Sequence, residues 1–136
     1  MKKLLIPFMA LLLISSKCSE KSSNVDYKRV WMLVEFKNYT KDNLTKNKAK
    51  LDLTNPEGAS AYMGCNNIGY GFTVTSDDEI TFSNGMATEM YCENNTLEKD
   101  FLRAIERKMK YKIDGHFLIL TNSKNEVLKF VAQDWD

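Results

Sequence analysis

Cysteine and histidine are the most reactive side chains in this 136-residue chain, which holds three of the first and one of the second. Cys18 ends an N-terminal segment. Cys65 and Cys92 bracket the middle, within Met63-Gly64-Cys65-Asn66-Asn67 and Met86-Ala87-Thr88-Glu89-Met90-Tyr91-Cys92. Three kinds of chemistry are open to such a pair. It can form a structural disulfide that staples a small β-rich domain, or pack as two buried thiols that act as small hydrophobes. One member can instead serve as a redox thiol. Counting favours the first: setting Cys18 aside leaves an even pair in an exported, oxidising setting. A bridge there closes a loop of about 27 residues, worth roughly 3.5 kcal/mol in the chain-entropy model. Against a typical net stability of about 5–15 kcal/mol, that share is large.

Catalysis is hard to assemble from the remaining residues. His116 is the single histidine, so neither a His-based metal cluster nor a Cys-His-Asn arrangement has partners to draw on. Its place after Asp114-Gly115 reads as an exposed loop. The sequence has no Cys-x-x-Cys, no glycine-rich phosphate loop and no His-Glu-x-x-His. Asp77-Asp78-Glu79 lacks the twelve-residue calcium-loop pattern and reads as a solvated turn. A hydrolase built on Asp and Glu pairs needs two acids held across a cleft, which spacing alone does not supply. The expectation is a protein that is not an enzyme, with no catalytic residue, cofactor or metal ligand.

The elements around the cysteines begin with an export signal. Lys2 and Lys3 precede an apolar run from Leu4 to Ile14, and Ser15-Ser16 forms a small-residue exit. Eleven residues interrupted by Pro7 are too few to cross a bilayer core of about 30 Å. Residues 1–17 are therefore expected to be a signal peptide of lipoprotein type. Ile14-Ser15-Ser16-Lys17-Cys18 resembles a bacterial lipoprotein cleavage box, although Ser15 and Lys17 stand where an aliphatic and a small residue are usual. Cys18 is the expected lipid attachment site, with a membrane-anchored place in the cell envelope; the alternative is cleavage to a soluble secreted or periplasmic form. Residues 18–26 are polar and read as a flexible tether. The formal net charge is +1, and removal of Lys2, Lys3 and Lys17 takes it to −2. Such a body lacks the clustered positive charge a nucleic-acid partner requires. A monomer is expected.

Residues 27–136 form the domain. Tyr27 to Phe36 is β-branched and aromatic, with Trp31 and Leu33 on one face. Lys37 to Lys48 reads as a surface loop. Lys50 to Thr54 alternates as a second strand, Asn55-Pro56-Glu57-Gly58 turns, and Ala59 to Cys65 returns. After the Asn66 to Gly71 bend, Tyr70, Phe72 and Val74 share one face of a fourth strand, and Ile80 and Phe82 mark a fifth. Asn95 and Glu98 are spaced as a capping pair before a helix with an apolar stripe at Leu97, Phe101, Leu102, Ile105 and Met109. Lys108 and Lys110 suit its dipole. Tyr111 to Ile113, Phe117 to Leu120 and Val127 to Val131 follow, joined by Asp114-Gly115 and Asn122 to Asn125 turns. The fold class is mainly β (α+β): a small antiparallel β-barrel-like domain of about eight strands with one covering α-helix.

Gly64-Cys65-Asn66 and Thr88-Glu89-Met90-Tyr91-Cys92, with Trp31 before them and Glu98, Phe101 and the Leu118 to Phe130 strands after, resemble the META domain family, which includes the heat-shock lipoprotein HslJ. The pattern runs from about Tyr27 to Val131. Ala61 and Tyr70 stand where that family often has glycine, which bears on the local turns. The resemblance implies a barrel-like fold with one helix. It also implies an envelope or secreted protein tied to stress or drug tolerance, with no established enzymatic chemistry. The expected function is a binding or structural module for an unknown protein or small ligand. Gly64, Asn66, Asn67, Tyr62, Tyr70 and Tyr91 are the candidate turn and contact surface. The alternative is a thiol-redox or protease-inhibitor-like protein acting through the Cys65 loop.

Overall fold

In the first strand the inward residues are Trp31, Leu33 and Phe36, a sequence that breaks strict alternation. The computed structural model, which describes residues 26–76 and 78–135, shows why. Strand β1 (Val30–Phe36) shifts register against its partner between Leu33 and Glu35. The extra residue resets the pleat so that Phe36 also faces the core. The expected signal peptide (residues 1–17), Cys18 and residues 19–25 of the expected tether lie outside the described residues, as do Asp77 and Asp136.

The remaining elements are α1 (Lys41–Lys46), β2 (Lys50–Asp52), β3 (Ala59–Tyr62), β4 (Asn67–Tyr70), β5 (Phe72–Ser76), β6 (Glu79–Phe82) and β7 (Met86–Ala87). Then come α2 (Thr96–Ala104), β8 (Lys108–Asp114), β9 (Phe117–Thr121), β10 (Val127–Ala132) and a 3-10 turn at Gln133–Trp135. The strands form one antiparallel sheet in the order β5-β6-β8-β9-β10-β1-β2-β3-β4-β7. The sheet curls until its two ends share chain at Gly71. There the Gly71 amide donates to Ser83 Oγ, and the Ser83 amide donates to the Gly71 carbonyl, both at 2.7 Å. Pairing on either side, Gly69 with Met86 and Phe72 with Phe82, runs in nearly one register. β4 with β5, and β6 with β7, are thus two bent strands, broken where Gly71 and the Ser83–Gly85 segment turn the corner. Ten strands replace the expected eight for this reason. Gly85 is held there by packing, since a Cβ would sit 2.6 Å from Tyr70 Cε1.

Trp31, Leu51, Ile68, Phe82, Leu118, Leu120 and Phe130 fill the interior. Each follows the two-residue period of its strand. Leu97, Phe101 and Ala104 of α2 belong to the same core. At roughly 25 cal/mol per Å² of apolar surface, this burial is the main source of stability.

Several expectations need correction. The Lys37 to Lys48 stretch is not all loop: it contains α1, capped where the Asn43 amide donates to Thr40 Oγ1 at 3.2 Å. One buried residue, Leu44, ties that helix to the core, too little periodicity to read from sequence. Helix α2 stops at Ala104, and Ile105 is already extended at φ −73°, ψ 110°. Met109 reaches the core from β8, while Lys108 and Lys110 lie on its outer face, so they do not meet the helix dipole. Leu102 points outward. The four-residue spacing joins a helical stripe to an alternating strand. The third strand ends at Tyr62, leaving Cys65 in the turn beyond it. His116 is half-buried and stacked on Trp135 at 4.4 Å between ring centres, not an exposed loop residue.

Candidate functional site

Gly64 opens the site at φ +99°, a conformation that side chains disfavour, and a Cβ there would overlap the Asn47 carboxamide. Cys65 follows and is bridged to Cys92, with 6.0 Å between the two Cα atoms and 27 positions of sequence between the residues. Cys65 is buried and Cys92 half-buried. The bridge ties the turn after β3 to the segment that leads into α2.

Asn66 is the centre of the arrangement. It is buried, and so is Glu98 in the first turn of α2. The Asn66 amide donates to Glu98 Oε2 at 2.6 Å and its Nδ2 donates to Oε1 at 2.9 Å. On its other side, Asn66 Oδ1 accepts from Thr88 Oγ1 at 3.1 Å and from the Met90 amide at 2.7 Å. The Asn67 amide donates to Thr88 Oγ1, and the Thr88 amide to the Asn67 carbonyl. Thus Thr88, Met90 and Cys92, spaced by two along the segment, all fasten it to the Gly64–Asn67 turn, Thr88 by three hydrogen bonds, Met90 through its amide and Cys92 by the bridge. A carboxylate as buried as Glu98 persists because these bonds, short and charge-assisted, replace its water.

Glu98 is therefore not the back-reaching half of a capping box. Asn95 makes no side-chain capping bond, and Glu98 is turned inward to the turn at Asn66. A Glu three residues past Asn suggests a cap in sequence, but only the fold shows a stronger partner within reach.

Among the candidate contact residues, Asn66 and Tyr70 are buried and present no surface. Tyr70 packs on Phe82 at 5.7 Å between ring centres, and its hydroxyl has no hydrogen-bond partner among the described residues. Tyr62 is half-buried on the outer face of the sheet, next to exposed Asn67. Tyr91 is 93% exposed. Sequence reasoning misses Met86 and Met90, which are 80% and 60% exposed. Their signal is a place in a stretch whose Thr88 and Cys92 are fastened to the Gly64–Asn67 turn. Residues 83–95 thus form a strap: its backbone is fastened, and its large apolar side chains are outside.

Burial and neighbouring charge also set two phenol groups. Burial, followed by the Glu98 charge, pushes the Tyr70 hydroxyl up to about 12. Tyr39 is likewise pushed up to about 12, first by burial and then by donating to Asp100 Oδ2 at 2.7 Å. Unfolded tyrosine ionises near pH 10. Both groups hold their protons more tightly when folded, so their stabilisation is complete below pH 10 and fades as pH rises toward 12. An alkaline titration followed at the phenolate absorbance should show Tyr39 and Tyr70 ionising late, together with loss of near-ultraviolet circular dichroism. Both phenols ionising near pH 10 in a folded protein would contradict this.

Among the described residues, no group of three or more His, Cys, Asp or Glu is placed to hold a metal ion. No described helix is long and apolar enough to cross a membrane.

A family model described as the META domain matches residues 24–135. Two solved structures share the fold. One is described as the NMR structure of the protein from Burkholderia xenovorans, at 20% identity and TM-score 0.61, covering 78% of this chain and 82% of that one. The other, described as the NMR structure of the protein, is also 20% identical at TM-score 0.61, covering 79% and 92%. No curated protein matches the chain.

Proposed function

The chain belongs to the META domain family, and from that membership we propose a non-enzymatic envelope lipoprotein, anchored through Cys18, whose domain is a binding module used during stress or drug exposure. One observation carries the reading. Residues 83–95 are fixed by a disulfide and by a buried Asn66–Glu98 network, yet Met86, Met90 and Tyr91 stand in solvent. Those side chains contribute little to folding. Tyrosine and methionine are enriched at protein interfaces, and a backbone already ordered loses less entropy on association. A strap of this kind favours binding over passive structure.

The test places a photo-crosslinking phenylalanine derivative at Tyr91 and, as control, at Lys124, in cells under envelope stress. A discrete, saturable adduct from position 91 alone supports the reading. Equal labelling at both positions, or none, refutes it. Fractionation of Cys18→Ser tests the anchor: the protein should leave the membrane fraction and lose its fatty acid. Thiol labelling of the folded protein separates the redox alternative, which requires a reactive thiol where a binding module keeps Cys65 and Cys92 protected.

A further inference from the structure

Resting on that reading, we propose that the strap's partner is a basic polypeptide segment bearing apolar side chains, laid in extended form over the outer face of β2, β3, β4 and β7. Cross-strand pairing defines the surface. Asp52 pairs with Ser60, Ser60 with Gly69 and Gly69 with Met86, so these four form one row on one face. The next row runs from Lys50 through Tyr62 to Asn67. Ser60 and Gly69 place almost no side chain in the middle. The result is a groove of about 550 Å³ reaching from Asp52 and Glu57 past Ser60 to Gly69. Met86 stands at the far end of its row, where the strap with Met90 and Tyr91 begins.

Charge identifies the occupant. Asp52 Oδ1 is used by Thr54, whose amide and hydroxyl donate to it at 2.9 and 2.6 Å, leaving Oδ2 without a partner among the described residues. Glu57, Glu89 and Glu93 are exposed. Between Ser83 and Glu98 the chain has no lysine or arginine. Lys50 is the single cation in the two rows, facing four carboxylates on the face and strap. Anionic lipid and nucleic acid are repelled by such a surface. A second copy docked face to face would set these acids against themselves. A basic segment is attracted, its Lys or Arg stems can lie along the groove, and its apolar residues can cover Met86 and Tyr91.

The probe is a labelled nonapeptide of alternating Lys and Leu, with a Glu and Leu peptide as its counterpart. The full exported chain is held in phosphatidylcholine nanodiscs, with empty nanodiscs as the blank. The Lys/Leu peptide should bind, with affinity falling about tenfold as salt rises from about 50 to 300 mM. The double variant Met86→Ser/Tyr91→Ser should weaken it about tenfold, a typical loss for exposed apolar anchors. Asp52→Asn/Glu57→Gln should weaken it about fivefold and flatten the salt dependence. Lys124→Gln should bind as the parent does. All of these substitutions are on the surface, and unchanged thermal melting confirms that the fold is kept. Equal binding of the Glu/Leu peptide, or affinities that the two double variants leave unchanged, overturns the proposal. A position-91 adduct in cells alongside a peptide that does not bind removes this partner class alone. Absence of the adduct removes the binding reading itself.

Discussion

Replacing Asn66 with alanine should destabilise the domain by about 4 kcal/mol, the largest effect expected of any single polar substitution. Three separate losses contribute. Glu98 Oε1 loses the donor at 2.9 Å, the Met90 amide loses its acceptor at 2.7 Å, and Thr88 Oγ1 loses its own at 3.1 Å. A buried charged group left without its donor costs about 3 kcal/mol, and Glu98 has little water to turn to, while the bonds lost by the exposed Thr88 and Met90 add about 0.5 kcal/mol each. For a domain of this size the melting temperature should fall by roughly 15 °C. Asn66→Asp refines the test. It preserves the shape but sets a second carboxylate against Glu98, so the variant should be worse than alanine at pH 7. It should recover as pH falls through the carboxylate range, because the paired acids share a proton more readily when folded than when unfolded. Urea denaturation at pH 7 and pH 4.5 reads both effects. A denaturation midpoint for Asn66→Ala close to that of the parent would refute this account of the site.

Cys65→Ala/Cys92→Ala comes second, with an expected loss of roughly 3.5 kcal/mol from releasing a loop of 27 residues. The mechanism differs, since the bridge acts mainly by restricting the unfolded chain. Unfolding rate should change less than equilibrium stability suggests, and folding should slow. The two lesions share one junction: the bridge and Asn66 both fasten residues 88–92 to the turn. The triple variant should accordingly depart from additivity by about 0.5–3 kcal/mol. Simple addition would mean that the bridge and the hydrogen bonds stabilise different regions. That result is incompatible with a strap held as one unit.

Much of this site is legible in the residues alone. The two cysteines left once Cys18 is set aside point to the bridge, and Asn66 next to Cys65 marks a special turn. The purpose of Asn66 is not legible, because its three partners lie 22, 24 and 32 positions away. Glu98 is misread for the same reason: local spacing offers a cap, and the partner that prevails is distant in sequence. Tyr70 and Tyr91 look alike as aromatic neighbours of the cysteines, yet one is buried and the other bare.

Strand identity was determined by the residues themselves, because alternation is a local property and burial of one face makes it costly to violate. Trp31 and Leu33, Ile80 and Phe82, and Leu118 and Leu120 all declare their inward face within a few residues. Tertiary structure alone decided where helix α2 stops, where two strands bend at Gly71 and Ser83, and which side chains of the strap remain in water. Each of those outcomes depends on a contact across the molecule whose free energy no local pattern encodes.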